Sequence, residues 1–529
     1  MHIRLPDAAC VYGENQTLLY TSDQARQNNG ISLSMLIEDQ CLAARLSGDE
    51  TPICYVVLKW LFRAEERREN VRILGDAWER GYGNLEWRGI MPERGMPWYF
   101  LVTNGSDAMA DTSGRFTEGF GVKVRPSSFC MWQYDTSGIT LWMDVRCGTK
   151  GVILAGRTLP LADILFAEWH ALSAFRCGKQ FCREMCPDPI FPKAPVYGFN
   201  NWYYAYGNSS EEEILQDARR LADCTVGLEN RPYMVIDDGW QPNLTDGPWD
   251  SGNDRFPDMK ALAAQIREMG ILPGIWIRPL RQKAAYGLPV HWRLERNADF
   301  LDPSEPDVLA YVKACIERIV YWGYRLIKFD FVTFDIFGRW GMDPLNFLPT
   351  GDWSLHDRSK TTAEITVQLY KTIREAAGDA VLIGCNAIGH LCAGLVELNR
   401  TGDDTSGQEW QRTRKMGVNT LAFRAMQNGT FYMADADCVG ITPHIPWELN
   451  KEWLRFLAVS GSPMFISWDR KVDSKAIRSA IAEALRQNSV QQDELIPLDW
   501  MENTCPRIWR LNGERVTVDW FGNLIDRTF

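Results

Sequence analysis

From residue 186 onward the chain settles into a rhythm that few folds accommodate: short apolar runs of β character alternate with amphipathic helical stretches. The runs are VYGFNNW, YMVIDDGW, LPGIWIRP, RLIKFDFV, VLIGCNA, LVELNRTGDD, TFYMADAD and PMFISWD. Between them lie stretches such as SSEEEILQDARRLADC, DMKALAAQIREMG and TAEITVQLYKTIREAAG, the first opening on a serine N-cap and an acidic first turn. Eight such β runs, mostly alternating with helices, predict an α/β protein built on a (β/α)8 TIM barrel. A doubly wound sheet is the other home for this rhythm, but no GxGxxG or GxxxxGKS loop follows any run.

The flanking segments read differently. Residues 1–185 alternate β-like runs such as CYVVLKWLF, SFCMWQYD and GITLWMDVRCG with Gly, Asp, Asn and Pro turn signals, which predicts an N-terminal β-sandwich. A linker helix is expected near LADILFAEWHALSAFRCGKQFCREM, closing that domain. The barrel then spans 186–490, its last helix near SKAIRSAIAEALRQ, and 491–529 forms a short C-terminal β segment. A chain of 529 residues is too long for one ordinary core, so several domains are the natural expectation.

A net charge of −11 with no long basic run argues against nucleic acid as a partner. The N-terminus carries no apolar run of signal-peptide length, and nowhere are there about 18 uninterrupted apolar residues, so the expectation is a cytoplasmic protein with no membrane partner. Fourteen cysteines are scattered singly, mostly in apolar segments, as free thiols in a reducing compartment would be. Cys177, Cys182 and Cys186 are spaced irregularly and the chain has only six histidines, so no zinc site is expected.

In a barrel the carboxyl ends of the strands carry the active site. Polar residues fall there repeatedly: Trp202, Asp237 and Asp238, Lys328 and Asp330, Arg400, Asp403 and Asp404, Asp435 and Asp437. Lys328 and Asp330 interrupt an otherwise apolar strand, and residues two apart share a face, so both should point into the mouth while Phe329 turns toward the helices. At about 4 Å and an effective dielectric near 20 such a pair is worth roughly 4 kcal/mol, enough to hold Asp330 ionised as a nucleophile. A second carboxylate is needed for acid catalysis. If Arg400 faces the ligand, strand parity brings Asp404 to the same side and sends Asp403 away as a loop or capping residue. The charge of Asp330 should then raise the Asp404 carboxyl toward the range of a proton donor. Asp237 and Asp238 suit two adjacent sugar hydroxyls, and Trp202, Trp240 and Trp249 suit a pyranose face. A divalent metal is the rival use of the carboxylate pair, but no DxDxDG loop follows.

Taken in order, YGFNNW, YMVIDDGW, LIKFDF, GCNAIGHL, RTGDDTS and ADADC resemble the melibiase group, the α-galactosidases of glycoside hydrolase families 27 and 36. The resemblance covers roughly residues 195–470, and GDAWERGYGNLEWR and GFGVKVRP in the N-terminal region resemble family 36. It implies Asp330 as nucleophile, Asp404 as acid/base, Lys328 on the ring hydroxyls and Arg400 near the sugar 2-hydroxyl. It further implies Asp237 and Asp238 on the 4- and 6-hydroxyls, Trp202 as an aromatic wall, and Asp437 as the last acidic residue of the pattern. The stretch CNAIGHLCAG surrounds the 2-substituent in such a site; Cys385 is the binding candidate there, and Cys385, Asn386 and His390 leave the choice between hydroxyl and acetamido open. Arg278 and Arg281 stand where many relatives place an acidic residue.

The reading is a retaining, exo-acting α-galactosidase that needs no metal or cofactor and takes an oligosaccharide or glycoside substrate. The alternatives are an α-N-acetylgalactosaminidase or a β-L-arabinopyranosidase of the same mechanism, or a noncatalytic galactoside-binding protein. A homo-oligomer is left open.

Overall fold

The computed structural model describes residues 1–22, 30–105, 114–339 and 351–522. The rhythm of the second half folds into one curled sheet of nine strands. In spatial order these are Met433–Asp435, Leu398–Arg400, Val381–Gly384, Leu326–Phe329, Leu272–Ile277, Tyr233–Ile236, Tyr197–Asn200, Met464–Trp468 and Cys438–Ile441. Every neighbouring pair runs parallel. The run TFYMADAD contributes only Met433–Asp435, and a further strand, Cys438–Ile441, begins directly after the run; the two lie at opposite ends of the sheet order. They are separated only by Ala436 and Asp437, and Asp437 takes a left-handed φ of +72°, which breaks the ladder there.

Helices follow the amphipathic stretches. Glu211–Cys224 is capped by Ser210, whose hydroxyl accepts the Glu213 amide at 3.3 Å, and Thr362–Ala377 begins with a Thr361/Glu364 capping box. Phe329 turns outward as parity requires, its ring 5.8 Å from that of Tyr370 on the latter helix.

The N-terminal region forms two six-stranded antiparallel sheets. Their rings meet: Trp60 and Trp132 from one sheet contact Phe166 of the other at centroid distances of 5.3 and 6.2 Å. The linker helix is shorter than expected. LADILFAEWH belongs to a 13-residue strand, Thr158–His170, and only Ala174–Met185 is helical. That strand lies between Cys41–Ser47 and Phe116–Val122, and pairing on both edges overrides a run of helical character.

Three short antiparallel strands, Ile496–Pro497, Ile508–Leu511 and Glu514–Thr517, complete the described chain. Trp509 and Trp520 from this segment pack on Phe456 of helix Trp447–Ala458, and Trp500 meets Trp87 of the N-terminal region. A buried polar seam joins that region to two short helices beside the parallel sheet, Thr420–Arg424 and Gly389–Cys392: Arg424 pairs with Asp76 at 2.9 Å, and His390 stacks on Trp98 and bonds the Val122 carbonyl. Burial pushes the His390 imidazole down to about 3, so it sits in the seam as a neutral ring. Among the described residues no helix is long and apolar enough to cross a membrane.

Candidate active site

The carboxyl ends of the strands surround a cavity of about 410 Å³. Trp202, Asp237, Asp238, Lys328, Asp330 and Asp404 all line it, together with Trp276, Phe331 and Thr245.

The two charges of KFD do not pair with one another. Lys328 reaches past the intervening strand Leu272–Ile277 to Asp237, Nζ to Oδ2 at 2.8 Å, and Asn200 donates to the same oxygen at 2.7 Å. Burial alone would depress the lysine ammonium, but the Asp237 carboxylate outweighs it and holds Lys328 well above the usual lysine range. Asp237 is further fixed by the backbone: its amide donates to Asn201 Oδ1, and its Oδ1 accepts the Asp238 amide. Asp238 accepts from Gln241 Nε2 at 2.6 Å and from the Thr245 amide at 2.9 Å. Burial, reinforced by Asp237 and Asp330, pushes its carboxyl up to about 6.

Asp330 is instead held by uncharged donors. Trp276 Nε1 donates to Oδ2 at 3.0 Å, and the Phe331 amide donates to Oδ1 at 2.7 Å. The second bond depends on Phe331 adopting φ +64°, and Arg278 secures it. The Arg278 guanidinium lies 3.9 Å from the Phe331 ring centroid and its Nε bonds buried Asp335 at 3.0 Å. Arg278 is therefore a buried support behind the cavity wall. Trp240 and Trp249 are likewise fully buried; Trp240 donates to the Trp276 carbonyl, so these indoles brace the Trp276 wall and do not face the cavity.

Arg400, Cys385 and Asp437 form a layer beneath. Arg400 Nη2 is 2.9 Å from Asp437 and 3.3 Å from Asp404, and its Nη1 lies 3.6 Å from Cys385 Sγ. Arg400 and Asp437 share with Lys328 a crevice of about 10 Å³, and neither they nor Cys385 line the larger cavity. Asp437 also accepts from the Thr405 amide and hydroxyl and from Tyr203. Its neighbour Asp435 is pushed up to about 6 by burial.

Asp404 departs from expectation in charge. Burial pushes its carboxyl up, but Arg400, Arg80 and Lys328 together pull it down to about 2, opposite in direction to the influence expected from Asp330. Three nearby cations favour the charged form of the carboxyl strongly enough to outweigh its burial. Asp403 departs in position: it too lines the cavity, between Arg80 and Arg412, each 2.9 Å away. Parity failed because the strand ends at Arg400 and the chain has turned.

Six residues of the wall are absent from the sequence-based candidates: Trp276, Phe331, Thr245, Arg412, Arg80 and Tyr82. Trp276 was within reach of parity, since it pairs in register with Lys328. Arg80 and Tyr82 come from the N-terminal region, more than 300 positions from Asp404, and local sequence carries no signal of that approach.

In class, the fold is that of family 36 glycoside hydrolases. The chain is similar to the family 36 α-galactosidase AgaA of Geobacillus stearothermophilus, with a TM-score of 0.62 at 15% identity, covering 96% of this chain and 78% of that one. It is similar also to TtGalA, an α-galactosidase of Thermus thermophilus solved with p-nitrophenyl α-D-galactopyranoside: TM-score 0.59, 16% identity, 93% of this chain and 100% of that chain. In sequence, the match to AgaA is 30% identical over 139 residues and covers 23% of this chain and 18% of that curated relative's length. No family model matches the chain.

Proposed function

We propose that the protein is a retaining α-galactosidase that removes terminal α-linked galactose from oligosaccharides or glycosides. One observation carries the reading: Asp330 and Asp404, from different strand ends, line one cavity of about 410 Å³, with Asp237, Asp238 and Lys328 on its wall. Pockets of roughly 300–1,000 Å³ suit small ligands, and this one offers both carboxylates and aromatic faces for a sugar.

In this reading Asp330 attacks the anomeric carbon, its oxygens oriented by Trp276 and the Phe331 amide. Asp404 protonates the departing oxygen and, once ionised, activates the water that releases the sugar. Before substrate binds, the cations around Asp404 favour its ionised, base form. Substrate entry expels water and enlarges the desolvation of the carboxylate, which favours the proton-donor form that the first step needs. Asp237 and Asp238 accept hydroxyl hydrogens, Lys328 donates to ring hydroxyls, and Trp202 supplies a flat wall. Arg400, Cys385 and Asp437 sit behind the 2-hydroxyl position and fix the segment that carries Asp404.

The same reading takes the curled sheet as a closed (β/α)8 barrel whose seventh strand is split at Asp437, over residues 186–490. It takes the two antiparallel sheets of 1–185 as a sandwich, and 491–529 as a packed β segment. Such an enzyme works without metal or cofactor; a cytoplasmic location and a homo-oligomer belong to the same proposal. Relatives of this fold have been solved with stachyose and with raffinose, which makes such galactosides the natural test substrates.

The test is a panel of p-nitrophenyl α-galactoside, α-N-acetylgalactosaminide and β-L-arabinopyranoside, with NMR of the first-formed anomer. Cleavage of the α-galactoside with retention, abolished in Asp330→Asn, is the expected result. Preference for either other glycoside would reassign the sugar, and cleavage of none would end the substrate assignment.

A further inference from the structure

The segment that carries Asp404 is gripped by the N-terminal region. The Gly81 amide donates to the Thr401 carbonyl at 2.7 Å and the Asp403 amide donates back to the Gly81 carbonyl at 3.0 Å, an isolated parallel bridge between chain segments over 300 residues apart. The approach leaves no room for side chains. A Cβ on Gly402 would lie 2.1 Å from the Met416 carbonyl oxygen, and one on Gly81 2.8 Å from Thr420 Cγ2. Both neighbours stand on or beside a stretch of π-helix, Thr413–Asn419, a form that is rare and concentrated at functional sites. Charge completes the clamp. Asp403 bridges Arg80 on one side and Arg412 on the other, 2.9 Å each, and Arg412 Nε donates to the Asp404 carbonyl at 2.9 Å.

Resting on the glycosidase reading, we propose that Arg80 and Asp403 are positioning residues: the N-terminal loop and its Arg80–Asp403–Arg412 bridge hold Asp404 in place and tune its charge. Asp404 faces Arg400, Arg80, Lys328 and Tyr203, and Asp403 balances one of these cations. The two partners therefore act on Asp404 with opposite sign. Removing Arg80 deletes a positive charge and makes Asp404 easier to protonate; removing the Asp403 charge deletes a nearby negative charge and makes it harder. A merely structural loop would not produce that opposition.

The experiment compares the whole wild-type chain with Arg80→Met, Arg80→Lys and Asp403→Asn. Hydrogen exchange of peptides covering 400–406 needs no substrate. It should quicken at least several-fold in Arg80→Met and Asp403→Asn and recover partly in Arg80→Lys; unchanged exchange would overturn the clamp. In kcat against pH on an α-galactoside, which reports the substrate-bound enzyme, the basic limb should move up in Arg80→Met, move down in Asp403→Asn and stay near wild type in Arg80→Lys. Limbs that do not move, or move the same way, overturn the tuning. If Arg80→Met fails to fold, Arg80→Lys and Asp403→Asn still supply both readouts. A wild type that cleaves no glycoside sinks the glycosidase reading and with it the tuning, while the exchange data still decide the clamp.

Discussion

Replacing Lys328 by methionine tests which carboxylate this buried cation serves. Its ammonium lies 2.8 Å from Asp237, and both side chains are almost fully buried. At that distance and an effective dielectric near 20 the attraction is about 6 kcal/mol, an upper figure from which the desolvation of both groups must be subtracted. Breaking such a pair by removing one partner costs about 3–5 kcal/mol, because the remaining charge is orphaned. For 529 residues unfolding together, the unfolding entropy is about 1.1 kcal/mol/K, so a loss of about 4 kcal/mol lowers Tm by about 4 °C. The Asp237→Asn change in the same background should restore most of that loss, since a neutral amide beside an apolar chain leaves no buried charge. Asp330→Asn should restore little. The assay is thermal unfolding of the single and double variants. If Lys328→Met couples to Asp330→Asn as strongly as to Asp237→Asn, the argument from the 2.8 Å pair is wrong.

Other consequences are equally open to measurement. Trp276→Phe keeps the ring but deletes the Nε1 bond to Asp330. A hydrogen bond to a charged group is worth about 1.5–3 kcal/mol, so kcat/KM should fall about 10- to 150-fold with Tm nearly unchanged; a loss under threefold would refute the role. Asp404→Asn should lose far more activity on raffinose than on p-nitrophenyl α-galactoside, whose leaving group needs little protonation, and equal losses would remove Asp404 as the acid. Asp238 is pushed up to about 6. If its ionised form binds the sugar, kcat/KM falls as pH drops through about 6, and Asp238→Asn flattens that limb; an unchanged acid limb in the variant would assign it elsewhere.

Much of the site was legible because period-two parity and strand ends act locally. Lys328 and Asp330 point into the cavity and Phe329 points out, as alternation on one short strand requires. Parity failed one turn later, at Asp403, because alternation holds only while the chain stays extended, and the strand stops at Arg400. The 161–170 segment was misread as helix for a related reason: its partners on both edges lie up to about 120 residues away, and no local pattern reports them.

Determined by the amino-acid order alone were the alternation of strand and helix, the identity of the carboxylates at the strand ends, and the opposite facing of Phe329 against Lys328 and Asp330, since all three follow from neighbours a few residues apart. Tertiary structure alone decided which charges meet. Lys328 passes over Asp330, two residues away, and pairs with Asp237, 91 positions earlier. Asp404 is held toward its ionised form partly by Arg80, contributed by another region of the chain. Electrostatic partnership depends on distance in space and on burial, and neither quantity is written in the spacing of residues along a strand.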